Sequence, residues 1–209
     1  MEATVVIPNY NGIKYLKGCL DSLREQSRHD FKVLLIDNGS QDGSVQLVKS
    51  HYPEVELVCF SENRGFCGAV NEGIRRADTP YVILLNNDTV CAQEFVAELI
   101  AAMEKMPDCF SCASQMVKMQ DSTVIDNAGD YYCALGWAYA CGKDKPAKHY
   151  QKRREIFSAC AGAAIYRRDI FDEIGLFDET HFAYLEDIDV AYRAKIAGYR
   201  NYYIPEAVV

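Results

Sequence analysis

No run of apolar residues in this chain is long enough to span a bilayer, and Met1 is followed directly by Glu2 and a short strand rather than by a leader. The working surface is therefore expected to face the cytoplasm. Basic charge is also scarce: 22 Lys and Arg stand against 30 Asp and Glu, for a formal net charge of -8. A nucleic-acid partner needs a phosphate-facing basic stripe, and this balance does not supply one. The local basic patches are Arg75-Arg76, Lys143 to Lys148, Lys152-Arg153-Arg154 and Arg167-Arg168. They read as solvated faces, and the two beside His149 are placed to meet an anionic or lipid-linked acceptor by peripheral membrane association. No Gly-x-Gly-x-x-Gly follows the first strand and no Walker lysine motif occurs, which removes support for a Rossmann dehydrogenase or a P-loop enzyme. Internal repeats and low-complexity tracts are missing too.

What is present is an ordinary folded composition, 49% hydrophobic and 25% charged over 209 residues, enough for one domain with a sizeable core. The nine cysteines form an odd, irregular set. Several lie in apolar runs, notably Cys59 and Cys160, and read as reduced, buried small hydrophobes. Cys109-x-x-Cys112 with Cys133 and Cys141 can be drawn as a four-thiolate zinc site, but the second pair has the wrong spacing.

The first half alternates strand and helix. Strands are expected at Thr4 to Ile7, Phe31 to Ile36, Val55 to Phe60 and Tyr81 to Leu85. Helices are expected around Leu16 to Leu23, from Ser44, from Gly68 to Ala77, and from Phe95 to a stop near Pro107. Tyr81 to Leu85 is the most uniformly apolar and should lie centrally, covered on both faces. This order predicts a mostly parallel sheet with helices on both faces. Beyond Cys109 the pieces are shorter: Ser111 to Val117, a stretch around Gly129 to Trp137, and Phe157 to Tyr166 as strands, then a helix ending at Gly175. A last helix from Asp187 should turn Ile188, Ala191, Tyr192 and Ile196 inward, with Gly198 closing it. Asn201 to Val209 reads as a final strand, and residues 143 to 155 as a mobile loop.

Three acid-bearing turns follow apolar segments or open a helix: Ile36-Asp37-Asn38-Gly39-Ser40, Leu85-Asn86-Asn87-Asp88 and Leu185-Glu186-Asp187-Ile188-Asp189. In an open α/β sheet the carboxyl ends of parallel strands line one crevice, so acids far apart in sequence can converge there. Asp37 either opens an Asx turn or accepts hydrogen bonds from a nucleobase or ribose. Asp88 either closes a turn or holds Mg²⁺ or Mn²⁺ shared with a diphosphate. Glu186 and Asp187 either stabilise a helix start or, behind the aromatic run Phe182-Ala183-Tyr184, supply a desolvated general base.

The stretches Val5-Val6-Ile7-Pro8-Asn9-Tyr10-Asn11-Gly12, Leu35 to Ser44, Asn63-Arg64-Gly65-Phe66 through Gly73, Leu84 to Thr89, Cys160-Ala161-Gly162-Ala163-Ala164 and Gly175 through Asp189 cover nearly the whole chain. In this order the sequence resembles the inverting glycosyltransferases of family 2, which have the GT-A nucleotide-sugar fold, and most of all their rhamnosyltransferase-like subgroup. The resemblance implies one GT-A domain over residues 1–209, with a nucleotide-sugar half at 1–107 and an acceptor-side half at 108–209. It implies that Pro8, Asn9, Tyr10 and Asp37 hold base and ribose, and that Asn63, Gly65, Phe66, Asn71 and Asn87 lie along the nucleotide. Asp88 and Asn86 are implied as the metal site, Gly162, Ala163 and Tyr184 as the acceptor wall, and Asp187, with Glu186 beside it, as the catalytic base. Asn86 stands where many members have an aspartate, which leaves one direct carboxylate fewer. Members also carry a metal-ligating histidine shortly after the segment matching Tyr203 to Val209, so the resemblance implies a shortened C-terminus. The implied substrates are a UDP- or dTDP-sugar and a glycan or lipid-linked acceptor at the inner face of a membrane, in polysaccharide synthesis. A binding domain that has lost catalysis, or a sugar nucleotidyltransferase, would use the same fold. The nucleotidyltransferase would want a Gly-rich basic loop where Pro8-Asn9-Tyr10-Asn11 stands.

Overall fold

The computed structural model describes residues 1–209. The first half runs β1 (Ala3–Asn9), α1 (Ile13–Arg24), β2 (Phe31–Asp37), α2 (Ser44–His51), β3 (Glu56–Cys59), α3 (Gly65–Arg76), β4 (Tyr81–Leu85) and α4 (Phe95–Lys105). The second half runs β5 (Cys109–Lys118), β6 (Asp121–Asn127), β7 (Asp130–Tyr132), β8 (Ala138–Ala140), β9 (Arg154–Ile156), β10 (Ala163–Arg167), α5 (Ile170–Ile174), α6 (Glu186–Ile196) and β11 (Arg200–Val208).

One sheet, ordered β3-β2-β1-β4-β10-β5-β11-β9 with β6 on β5, runs through both halves. Strands β3, β2, β1 and β4 are parallel, β10 inserts antiparallel between β4 and β5, and β11 lies parallel to β5. All five residues of β4 are buried, as their uninterrupted apolar run requires of a strand packed on both faces. Helix α3 covers one face through Ala69, Val70 and Ile74, and it can lie close only because residue 73 is glycine. A Cβ there would stand 2.2 Å from Cγ1 of Val6. This packing fixes the carboxyl ends of β1, β2 and β4 as one row, where the strand-following turns meet.

Several elements differ from the sequence expectation. Residues 143 to 155 are not a loop throughout: Ala147–His149 form a 3-10 turn and β9 pairs with β11. The Tyr203 hydroxyl donates to the Tyr150 carbonyl at 2.9 Å and the Arg154 guanidinium sits 4.5 Å from the centre of the Tyr203 ring, so the basic segment is held by Tyr203 of β11. Within Phe157 to Tyr166 only β10 is strand, and β6 arises where none was expected. In α6 the inward residues are Ile188, Val190, Ala191 and Ala194, whereas Tyr192 and Ile196 are 49% and 75% exposed. Tyr192 instead meets Tyr132 edgewise at 6.1 Å and Phe157 at a tilt of 46° and 6.0 Å. Cys59 is exposed because β3 is an edge strand, and Cys160 is half-buried; all nine cysteines are free. Cys109 and Cys112 are buried in β5 with sulfurs 3.4 Å apart, and Cys133 and Cys141 lie outside that strand.

Candidate active site

The strand ends are tied by a row of amides. Asn9, at the end of β1, donates from Nδ2 to Asp37 Oδ1 at 2.9 Å and to Ser40 Oγ at 3.1 Å, while its Oδ1 accepts from Asn87 Nδ2 at 2.6 Å. Asp37 Oδ2 accepts the backbone N–H of Ser40 at 2.9 Å. The chain so connects β2, β1 and the turn after β4. Gly12 makes room for it, since a Cβ there would lie 2.0 Å from Asn87 Nδ2. Asp37 is buried and both oxygens are engaged, so it stands behind the pocket wall and acts on the pocket through Asn9. The hollow over this row, about 260 Å³, is lined by Pro8, Asn9, Tyr10, Asn38, Asn63, Gly65, Phe66, Asn86, Asn87, Asp88 and Phe182.

Asn38 was not singled out in the sequence, although it stands in the Asp-Asn-Gly-Ser turn. Its Nδ2 donates to Asn63 Oδ1 and to the Gly65 carbonyl, both at 2.9 Å, and its Oδ1 accepts from the Arg64 N–H at 2.8 Å. It thereby shapes the loop entering α3. Gly65 has φ +76, and a Cβ would stand 2.7 Å from the Phe182 ring, so only glycine lets this loop approach. The N–H of Phe66, one of the free donors at the α3 start, gives to the Phe182 carbonyl at 2.8 Å. Phe182, Tyr184 and Leu185 all hold positive φ, so the segment just before Glu186 is strained. Asn71, implied to lie along the nucleotide, does not line the hollow. It is 1% exposed, and its side chain brackets Phe177: Nδ2 donates to the carbonyl at 2.8 Å and Oδ1 accepts the N–H at 3.1 Å.

A second hollow, about 570 Å³, shares Asn86 and Phe66 with the first and is walled by Asp130, Tyr139, Cys160, Ala161, Gly162, Tyr184, Glu186 and Asp187 among others. Gly162 accepts the Asn86 N–H at 2.8 Å, and its missing side chain leaves space for the Asn86 amide. Ala163 is not part of this wall: as the first residue of β10, it turns into the core. Asp187 Oδ1 accepts the Ile188 N–H at 2.8 Å, so the carboxylate is fixed at the start of α6. Burial raises the Asp187 carboxyl above its ordinary range, against the N–H groups of Ile188 and Ala161. Burial, with the charge of Asp187 added, pushes Glu186 up to about 7, and its Oε2 is buried with no partner. Asp88 is exposed on the strand-end hollow, two residues after the shared Asn86. Asn86, Asp88 and Glu186–Asp187 are thus brought to one continuous crevice, and Asp130, unmarked in the sequence, joins them.

Residues 4–175 match the family described as "Glycosyl transferase family 2". The chain belongs to that family. Relatives include the N-acetylglucosaminyl-diphospho-decaprenol L-rhamnosyltransferase of Mycobacterium tuberculosis, 28% identical over 98% of this chain and 74% of that protein. The O-antigen chain rhamnosyltransferase RfbN of Salmonella typhimurium is 26% identical over 100% of this chain and 66% of its own length. Among solved structures, the mannosyltransferase PcManGT of Pyrobaculum calidifontis, in complex with GDP-Man and Mn²⁺, superposes with a TM-score of 0.74 at 20% identity, over 99% of this chain and 55% of that one. S. aureus TarS in complex with UDP gives 0.67 at 19% identity, over 100% and 58%. The chain therefore spans little more than half the length of these solved structures. The fold is GT-A-like, with a central mixed sheet flanked by helices and the small β7–β8 sheet beside it.

Two places in this family 2 chain offer ligands to a divalent cation. Mg²⁺ and Mn²⁺ prefer oxygen and commonly take one or two carboxylates plus substrate phosphates. Asp88, exposed beside Asn86 on the strand-end hollow, fits that pattern. Asp130, Cys160 and Asp187 present ligand atoms all within 4.8 Å of one another. Burial drives the Cys160 thiol well above its ordinary range, so this trio offers a neutral sulfur between two carboxyls and suits a hard cation less well.

Proposed function

We propose that the chain is the catalytic part of an inverting glycosyltransferase, transferring a sugar from a UDP- or dTDP-linked donor, with rhamnose first among candidates, to a hydroxyl of a glycan or lipid-linked acceptor. The carrying observation is the fixed, half-buried Asp187 carboxylate in a hollow that shares Asn86 and Phe66 with the strand-end pocket bearing Asp88. The names of the Mycobacterium and Salmonella relatives support the donor and acceptor classes. The nucleoside lies over the row formed by Pro8, Asn9 and Tyr10, with Asp37 orienting Asn9, and its diphosphate reaches toward Asp88. Asp88, with Asn86 beside it, would hold a divalent cation there, and such a cation would offset charge on the departing diphosphate. Asp187 takes the proton of the acceptor hydroxyl, whose oxygen forms a bond to the anomeric carbon. The carbon–oxygen bond to the diphosphate breaks, its electron pair leaves with the diphosphate, and the anomeric centre inverts. Glu186 braces the acceptor side. The acceptor's membrane anchor would place the enzyme at the cytoplasmic face of a membrane.

The test is a thermal-shift series with UDP, dTDP, GDP and ADP and their sugars, each with and without Mn²⁺, because only a ligand that binds the folded form raises the unfolding midpoint. Stabilisation by uridine or thymidine diphosphates with Mn²⁺, followed by transfer of a labelled sugar, supports the reading. Equal response to ADP and UDP contradicts the donor assignment, and binding without transfer leaves a nucleotide-binding domain.

A further inference from the structure

The polar row under the strand-end hollow has a fixed direction. Asp37 Oδ2 takes the Ser40 N–H at 2.9 Å, and Oδ1 takes one hydrogen of Asn9 Nδ2 at 2.9 Å. The second hydrogen of that nitrogen goes to Ser40 Oγ at 3.1 Å, and Ser40 Oγ also accepts the Asn11 N–H at 2.9 Å. With both Asn9 hydrogens committed on this side, its Oδ1 faces the other way and accepts from Asn87 Nδ2 at 2.6 Å. Asn9 and Asp37 are each 1% exposed, so neither can exchange these partners for water. A carboxylate accepts at both oxygens, whereas an amide accepts at one end and donates at the other. Asp37 therefore dictates which end of Asn9 is offered to Asn87.

Asn87 stands between Asn86 and Asp88 in the turn after β4. That turn is tied toward β10 by the Asn86 N–H, which donates to the Gly162 carbonyl at 2.8 Å, and closed on itself by Thr89 Oγ1, which donates to the Asn86 carbonyl at 2.7 Å. Its tie toward β1 is the Asn87 amide. Residue 12 confirms how closely this contact is fitted: a Cβ there would stand 2.0 Å from Asn87 Nδ2 and 2.5 Å from Asn9 Oδ1. Gly12 has an ordinary φ of -101, so space rather than backbone conformation calls for glycine. We propose that Asp37 is a positioning residue for Asp88: through the oriented amides of Asn9 and Asn87 it holds the turn that carries Asp88, and so sets the cation end of the hollow from its nucleoside end. This rests on the reading of Asp88 above for its consequence in cation binding, and on the hydrogen bonds alone for the relay. Groups that orient a metal-binding side chain from behind commonly govern metal affinity by about 10–100-fold.

The experiment compares the wild type with Asp37→Asn, Gly12→Ala and the exchanged pair Asn9→Asp with Asp37→Asn, by two readouts. The first is the side-chain amide signals of Asn87 in the isotope-labelled, nucleotide-free protein. The second is UDP affinity by calorimetry with and without Mn²⁺, taken as a ratio so that any direct contact of residue 37 with the base cancels. In Asp37→Asn a donor is set against a donor, either at Asn9 or at the Ser40 N–H. Gly12→Ala removes no polar group and displaces the Asn87 amide by its methyl alone. Both single variants should shift the Asn87 signals and lower the Mn²⁺ ratio by about tenfold or more. The exchanged pair should restore both, because an amide at 37 then donates to a carboxylate at 9, which still accepts from Asn87. Unmoved Asn87 signals in Asp37→Asn, or a wild-type ratio in both single variants, would confine Asp37 to the nucleoside end and overturn the proposal. An exchanged pair no nearer to the wild type than Asp37→Asn would overturn it too. Should the buried changes at 37 and 9 weaken the fold, Gly12→Ala decides by the same two readouts. If the wild type binds UDP equally with and without Mn²⁺, the cation reading of Asp88 fails, while the Asn87 signals still decide the relay.

Discussion

Replacing Asn71 with alanine isolates the bracket that joins the two halves of the chain. Asn71 lies on α3 and is 1% exposed, and its side chain satisfies both the N–H and the carbonyl of Phe177, 106 residues away, with a further donation to Glu179 Oε1 at 3.1 Å. Alanine leaves the Phe177 N–H and carbonyl without partners beside a ring that is itself 2% exposed. Each orphaned buried group costs about 1–3 kcal/mol, so the pair implies a loss of about 2–6 kcal/mol. For a chain of this length the unfolding midpoint then falls by at least about 4 °C. Asn71→Asp keeps the acceptor for the Phe177 N–H but loses the donor and sets a carboxylate against a carbonyl and Glu179, so it should recover little. Urea unfolding at neutral pH, with UDP titration on the folded variant, measures both stability and binding. A change within about 0.5 kcal/mol, the range of ordinary surface substitutions, together with a tenfold loss of UDP affinity, would refute the bracket and put Asn71 on the nucleotide.

Gly65→Ala should lower both stability and nucleotide affinity, because a methyl there meets the Phe182 ring at 2.7 Å in a backbone with φ +76; a thermal shift with and without UDP reads this, and an unchanged midpoint contradicts it. Asp88→Ala should leave the apo midpoint within about 1 °C, since the residue is exposed, while removing the Mn²⁺ dependence of nucleotide binding in calorimetry. Glu186 is raised from 4.5 to about 7, so the folded state holds its proton more tightly than the unfolded chain does. Its contribution to stability is present below about pH 4.5 and is lost as pH rises through about 7. The midpoint of Glu186→Gln should therefore gain on the wild type from pH 5 to pH 8, and parallel curves would count against this.

Local signals carried much of the architecture into the sequence. The apolar run Tyr81 to Leu85 marks a central strand, and the i,i+4 pair Asp189–Arg193 forms as helix spacing requires, with Arg193 Nη2 2.7 Å from Asp189 Oδ2. What stayed hidden depends on contacts distant in sequence. β9 is three residues long and exists because β11 pairs with it. Tyr192 and Ile196 fit an inward helical stripe by spacing, yet the smaller Val190 and Ala194 are the residues turned to the core. Asp130 within Asn127-Ala128-Gly129-Asp130 reads as a turn residue; only the hairpin β7–β8 folding onto the start of α6 brings it to Asp187. Asp37 and Asn71 fitted a ligand role by position, but the number of partners that bury them is not written in local sequence.

The central claim is that Asp187 removes the acceptor's proton. Its most direct test is turnover of Asp187→Asn in the full-length protein, with the donor and acceptor that the wild type uses, alongside donor affinity by calorimetry. Asn preserves size and an oxygen for the Ile188 N–H but not proton acceptance, so turnover should fall by about 10²-fold or more at nearly unchanged donor affinity. Turnover close to that of the wild type, with Glu186→Gln inactive instead, would contradict the account and move the base one residue along.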